Sequence, residues 1–202
     1  MAAAGALVAA EAERLGVALP AGASAHFDKY VALLNRWSAA VNLLATRDAE
    51  ELARMHVADG LALVPHLGGA ARVVDVGAGG GIPGVVLAVA MPAVQVTSLE
   101  PIRKKHAFLA TVRRELGLTN FTALAERDDA HRARGDFAAY DAAVSRATWA
   151  PLEWFAHGRA LVRPGGVVLA MEGKEQVDLP AGVARHAYEL GDRTRAVLVL
   201  GV

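Results

Sequence analysis

The stretch Val73-Val-Asp-Val-Gly-Ala-Gly-Gly-Gly-Ile-Pro-Gly84 concentrates more binding chemistry than any other part of this chain. Two β-branched residues and Asp75 read as the end of a buried strand. Gly77, Gly79 and Gly81 then make a turn almost free of side chains, and the apolar run from Ile82 to Val89 reads as a helix. A strand, a bare turn and a helix N-terminus let backbone N–H groups and the helix dipole face a bound ligand. A dinucleotide fingerprint, G-x-G-x-x-G, would need its third glycine at position 82, which is Ile82. A nicotinamide cofactor is therefore disfavoured, and a purely structural strand-to-helix turn stays open.

Other candidates stand where predicted strands end, because a doubly wound sheet binds ligands outside the carboxyl ends of its strands. Glu100 closes the second strand, 23 residues after Gly77, where an acid commonly accepts hydrogen bonds from ribose hydroxyls. Asp128 and Asp129 follow the third strand and offer a carboxylate and backbone to an adenine amino group; a solvated acidic loop is the plain alternative. Ser145-Arg146 ends the fourth strand. An arginine delivered there by an apolar strand can clamp a phosphate, a base plane or a carboxylate, or else pair with a neighbouring acid. The G-x-G-x-G spacing with Asp75 two residues ahead resembles that of S-adenosylmethionine-dependent methyltransferases. That cofactor has no phosphate to cradle, and its ammonium and carboxylate suit an acid beside a bare turn.

Arg103-Lys104-Lys105-His106, with Arg113 and Arg114, forms a basic band on the helix after the second strand. Such bands are usually solvated faces, but this one begins beside the proposed pocket and can hold an RNA backbone through salt-sensitive contacts. The bulk charge gives no such hint, since Lys+Arg and Asp+Glu are equal at 21 each; any nucleic-acid surface must be local. The seven histidines show no helical pair at metal spacing, so no metal is expected. Cysteine is absent, which removes disulfides, thiolate metal sites and the thiolate nucleophile that methylation at carbon 5 of a pyrimidine needs.

These residues need a rigid frame, and the hydrophobic pattern supplies one. With 202 residues and 54% hydrophobic composition the chain can bury a substantial core. No apolar stretch of about 20 residues suggests a membrane span, and Met1–Ala10 reads as the start of a helix rather than a signal peptide. Helical periodicity over 24–44 places Phe27, Val31, Leu34, Trp37 and Val41 near one face, and 48–64 repeats it with Leu52, Met55, Val57 and Leu61. From Arg72 the rhythm becomes strand–helix alternation. Strands are expected at Val73–Val76, Val94–Leu99, Phe121–Leu124, Tyr140–Ser145 and Val167–Met171, with Ala196–Leu200 as a final edge strand. Helices are expected at Ile82–Met91, Arg103–Leu116 and Leu152–Leu161. The expected fold is α/β: a doubly wound, mostly parallel Rossmann-like sheet over 71–202 with a helical N-terminal extension over 1–70, together one compact unit.

At this point the chain resembles a known family, the small-subunit ribosomal RNA (guanine-N7) methyltransferases of the glucose-inhibited division B type. The resemblance runs from about Phe27 to Gly173, with a weaker echo near Arg195. It rests on Asn42-Leu43, Arg47-Asp48, His56 and Asp59, Asp75 to Gly84 with its Ile-Pro-Gly ending, Arg103-Lys104-Lys105 with Phe108-Leu109, and Ser145-Arg146-Ala147. It implies a class I methyltransferase using S-adenosyl-L-methionine on 16S ribosomal RNA or the small ribosomal subunit, in the cytoplasm. Gly77, Ile82, Asp128, Asp129 and Arg146 would contact the cofactor, with Glu100 in place of the family's acid after the second strand and Asp75 and Gly79 completing the turn. Asn42, His56 and Asp59 would line the RNA-facing side, with Arg103 and Lys104 steering the RNA. Guanine N7 has an in-plane lone pair and no proton, so the reaction needs alignment rather than a general base, and Arg146 is the catalytic candidate. Leu44, Met55 and Glu172 depart from the family's Thr, Arg and Lys. Alternatives are therefore a methyltransferase acting on another RNA or a small molecule, and a degenerate binding protein. Nothing in the sequence bears on oligomeric state.

Overall fold

The computed structural model describes residues 3–133, 139–146, 149–173 and 178–202; Ala147 of the Ser-Arg-Ala motif, and Lys174, lie outside them. Five strands run parallel: β1 (Arg72–Val76), β2 (Gln95–Leu99), β3 (Phe121–Leu124), β4 (Tyr140–Arg146) and β5 (Val162–Glu172). Two more, β6 (Val183–Leu190) and β7 (Arg193–Gly201), form an antiparallel hairpin, and the sheet order is β3-β2-β1-β4-β5-β7-β6. Most of the parallel strands are largely apolar because helices cover both faces, β2 with Gln95, Thr97 and Ser98 being the exception. The chain winds outward from β1 to β3, then returns to place β4 on the other side of β1. That reversal opens a crevice above the carboxyl ends of β1 and β4, where such sheets bind ligands.

Seven α-helices accompany the sheet among the described residues: α1 (Ala4–Arg14), α2 (Ala23–Ser38), α3 (Ala49–Glu51), α4 (Gly84–Ala90), α5 (Arg103–Leu116), α6 (Asp128–Ala133) and α7 (Pro151–Arg159). Phe27, Tyr30 and Leu34 of α2 share one apolar cluster with Val85–Val89 and with Phe108 and Leu109 of α5. The N-terminal helices thus pack on one face of the sheet, and Trp154 and Phe155 of α7 build the core on the other. Ser145 Oγ donates to the Val76 carbonyl at 2.9 Å and ties the ends of β4 and β1 together.

Two expectations need correction. Ala196–Leu200 is not an edge strand: β7 lies inside the sheet, paired with β5 and β6, and β6 is the edge. The edge escapes a hydrophobic reading because Val183–Leu190 is mostly exposed or half-buried, closing only on Leu190. The helix expected over 48–64 is also irregular. After the single turn α3 it widens over Leu52–Val57 and tightens over Ala58–His66. Gly60 there lies against Val86, so a Cβ would sit 3.1 Å from that side chain.

The first residue of α4 shows how closely the frame is packed. A Cβ on Gly84 would lie 2.5 Å from Asp75 Oδ2 and would also meet Ser98 Oγ. Gly84→Ala should lower stability by roughly 2 kcal/mol or more, read as a reduced denaturation midpoint. Gly68→Ala, where nothing lies within 4 Å of the new carbon, is the control expected to melt with the unsubstituted protein.

Candidate active site

Gly77, Gly79 and Gly81 adopt φ values of 74°, 54° and 85°, a region that side-chain-bearing residues avoid. The turn they make floors a cavity of about 430 Å³ at the β1–β4 crevice, within the range of small-molecule sites. Gly77, Gly79, Ile82, Glu100 and Arg146 all line it, as expected. The amide N–H groups of the turn, however, point largely inward. Gly77 and Ala78 donate to the Leu99 carbonyl at 3.0 and 3.2 Å, Gly81 to the Ala78 carbonyl at 2.7 Å, and Gly79 to Glu100 Oε2 at 2.8 Å. A turn that has spent these donors is unsuited to gripping a diphosphate, which needs them.

Glu100 is 3% exposed and bridges the floor to the next loop, since its Oε1 accepts from the Ile102 amide at 2.8 Å. Each oxygen keeps a second lone pair for a ligand hydroxyl. The opposite walls come from residues that motif reading did not assign: Leu43 and Leu44 from the loop after α2, and Ile102 and Lys105 around the start of α5. Ile102 is 51% exposed at the cavity wall and offers it an apolar surface. Tyr30 was also missed. Its hydroxyl, fully buried, donates to the Gly80 carbonyl at 2.5 Å and clamps the turn from α2. Burial, with the nearby Asp75 second, holds its pKa well above the ordinary phenol value, so it stays a donor.

Asp75 lies beneath this floor rather than in the cavity wall. It is 1% exposed, and its Oδ2 accepts from the Gly84 amide at 3.0 Å and from Ser98 Oγ at 3.1 Å. Its Oδ1 is buried without a hydrogen-bond partner. Burial pushes its pKa up to about 7, against the lowering effect of the two hydrogen bonds. Asp75 therefore shapes the turn and does not reach into the cavity.

Arg146 brings together residues far apart in sequence. Its Nη2 lies 2.8 Å from His56 Nδ1, and its Nη1 donates to the His56 carbonyl at 3.3 Å and stands 3.6 Å from Asp59 Oδ2. A guanidinium has no acceptor, so Nδ1 must accept and the His56 proton sits on Nε2. Burial and the adjacent Arg146 both lower the His56 pKa and keep the ring neutral. Asp59, expected on the RNA-facing wall, is instead fully buried and takes Tyr188 Oη on Oδ1 and Arg195 Nη1 on Oδ2, each at 2.8 Å.

The remaining expected residues are dispersed. Asn42 is exposed beside the cavity wall, and Arg103 and Lys104 are exposed on the first turn of α5, next to Lys105. Asp128 is 4% exposed and accepts from His157 Nδ1 at 3.1 Å, away from the cavity; Asp129 Oδ1 accepts from the Ala130 amide. Asp128 is bound up against His157, Asp129 is exposed on the first turn of α6, and neither lines the cavity. Among the described residues no three His, Asp or Glu side chains converge to hold a metal ion, and no helix is long and apolar enough to cross a membrane.

A model of the family described as rRNA small subunit methyltransferase G matches residues 23–187. Ribosomal RNA small subunit methyltransferase G of Burkholderia thailandensis is 42% identical over 172 residues, covering 83% of this chain and 74% of the relative. Its counterpart in Aromatoleum aromaticum is 40% identical over 176 residues, covering 83% and 82%. Among solved structures, a methyltransferase from Geobacter sulfurreducens superposes with a TM-score of 0.61 at 11% identity, over 86% of this chain and 90% of that one. A SAM dependent methyltransferase from Aquifex aeolicus gives 0.54 at 15%, over 75% and 93%. The likeness to these two is one of fold, the Rossmann-like methyltransferase sheet.

The buried carboxyl beneath the turn makes a pH prediction. A carboxyl whose folded pKa is raised from 3.8 to about 7 holds its proton longer when folded than when unfolded. Its contribution is thus most favourable below the unfolded value and is lost as pH rises toward 7. Stability should fall across that window by up to about 1.4 kcal/mol per pH unit. Asp75→Asn should flatten this slope while lowering stability at acidic pH, because its amide would leave a buried donor unpaired. Denaturant unfolding at pH 4.5 to 8 checks both; an equal slope in the two proteins would refute the assignment.

Proposed function

The chain belongs to the rRNA small subunit methyltransferase G family, and we propose that it transfers the methyl group of S-adenosylmethionine to N7 of a guanine in 16S ribosomal RNA. The observation that carries the cofactor reading is the floor of the cavity. Its glycines leave room for a ligand's backbone-hugging approach, yet its amides are spent internally, which suits a cofactor without phosphates. The donor set fits the rest of that molecule: Glu100 for the ribose hydroxyls, exposed Ile102 for a flat base, and Lys105 or Arg146 for a carboxylate. When bound, the cofactor supplies an electrophilic methyl group on a sulfonium.

Guanine N7 offers a lone pair and no proton, so the chain must align two molecules rather than move a proton. Gly77, Gly79, Ile82 and Glu100 hold the cofactor, and Asp75 and Tyr30 hold the turn. Arg146, at the end of β4 with neutral His56 beside it, fixes the target side of the cavity. Arg103 and Lys104, with Lys105, present positive charge to the RNA backbone. The small ribosomal subunit is the setting in which that RNA is met.

Transfer of a labelled methyl group to 16S ribosomal RNA lacking the modification, followed by mapping of the methylated base, is the direct test. Label on a guanine N7 is expected; label on another atom, or none, would refute the reading. Arg146→Ala should abolish transfer, with an unchanged circular dichroism spectrum. Replacing Arg103 and Lys104 by Ala should weaken RNA binding and make it less sensitive to salt. The slope of log affinity against log salt should shrink by about 0.7 to 0.9 for each phosphate no longer neutralised, with cofactor affinity unchanged.

A further inference from the structure

Asp59 is a fully buried carboxylate at the centre of a network reaching from the sheet edge to the cavity. Tyr188 approaches from β6, Arg195 from β7 and Arg146 from β4, while Asp59 itself sits in the tight helical segment that follows His56. The two carboxylate oxygens are unequally shared. Oδ1 accepts the Tyr188 hydroxyl at 2.8 Å, and Oδ2 accepts Arg195 Nη1 at 2.8 Å with Arg146 Nη1 at a longer 3.6 Å. A carboxylate with both oxygens open favours a bidentate fork with a guanidinium, the tightest pairing available to it. The Tyr188 hydroxyl competes for Oδ1 with such a fork, and Arg146 keeps its Nη2 on His56 Nδ1 at 2.8 Å and its place in the cavity wall.

We propose that Tyr188, on the edge strand and outside the cavity, is a positioning residue: its hydroxyl occupies Asp59 Oδ1 and so keeps Arg146 on His56 and at the cavity rather than folded back onto Asp59. The hairpin β6–β7 then contributes to the site through this contact. The assignment rests on the methyl-transfer reading for its kinetic consequence only; the geometric consequence is independent of it.

The test uses the full chain with Tyr188→Phe, which deletes the hydroxyl and keeps the ring. The His56 imidazole is followed by NMR titration, because burial, with Arg146 second, holds its pKa below the ordinary value of 6.5. Once Arg146 leaves Nδ1, the His56 pKa should rise toward that ordinary value. Methyl transfer to small-subunit RNA should fall by up to roughly 100-fold in kcat, the scale of an ångström-sized displacement in a site. In an Asp59→Ala background the Tyr188→Phe change should have no further effect on either readout, since the two residues act as one unit.

A hydroxyl that only stabilises the fold would lower the melting temperature and leave the His56 titration where it is in the unsubstituted protein; that result overturns the proposal. Additive losses in the double variant overturn it as well. If His56 moves as expected but the unsubstituted protein transfers no methyl group to the RNA, the positioning role stands and the methyl-transfer reading falls. Should Tyr188→Phe not fold, Tyr188→Leu, which also removes the hydroxyl, must raise the His56 pKa; an unchanged value there counts against the proposal.

Discussion

The turn after β1 cannot hold its own shape, and the rest of the site depends on what holds it. Three glycines at positive φ leave a loop without side-chain anchors, and such a loop is entropically the most expensive kind to order. It is fastened from below by Asp75, which accepts from the first amide of α4, from the side by Glu100 and from above by Tyr30. Each tie comes from a different element: β1, the end of β2, and α2. The cavity floor is therefore a joint property of the sheet and the N-terminal helices. Removing the helical segment would take away Tyr30, the wall residues Leu43 and Leu44, and the apolar cover of α4 and α5 together.

The second buried anion follows different rules. Asp59 sits at full burial with two guanidiniums and a hydroxyl around it. Placing a carboxylate there has a desolvation cost that its partners must offset, and losing one partner costs far more than a surface pair would. Asp75 meets the same cost without a cation in contact and answers it by retaining a proton to about pH 7. The two acids thus show two ways to bury a carboxyl: surround it with cations and donors, or leave it without a cation in contact so that burial raises its pKa. Only the pairing solution orients other side chains, and it is the one that connects to Arg146.

Much of the fold was legible because parallel strands buried on both faces appear as short apolar runs. Val73–Val76, Phe121–Leu124 and Tyr140–Ser145 sit within a residue of the observed strands. The hairpin was harder: β6 is an edge with polar residues on both sides, so Arg185, His186 and Glu189 hide it. The glycine turn, Glu100 and Arg146 could be found because strand ends in a doubly wound sheet converge on one crevice. Tyr30 could not. In sequence it is one more step of a helical face, and its bond to Gly80 spans 50 positions. Asp128 and Asp129 do follow β3, but Asp128 is buried against His157 and neither lines the cavity, which their spacing in the sequence does not reveal.

The distribution of charge in the cavity explains why the site contains no acid–base couple. Glu100 has one N–H on each oxygen, His56 is held neutral with its proton on Nε2, and Tyr30 is kept protonated by burial. Tyr30 is not poised to exchange a proton near neutral pH, the His56 pKa is pushed down, and Asp75, which titrates there, is sealed beneath the floor. Fixed dipoles and charges are what such a site offers a reaction, and they act without reorganising only if they are already in place. The proposed displacement at a sulfonium by a proton-free ring nitrogen asks for that and nothing more. For the proposed transfer, the ties that hold the turn and the network that holds Arg146 would supply the alignment, the main lever that this chemistry leaves to the protein.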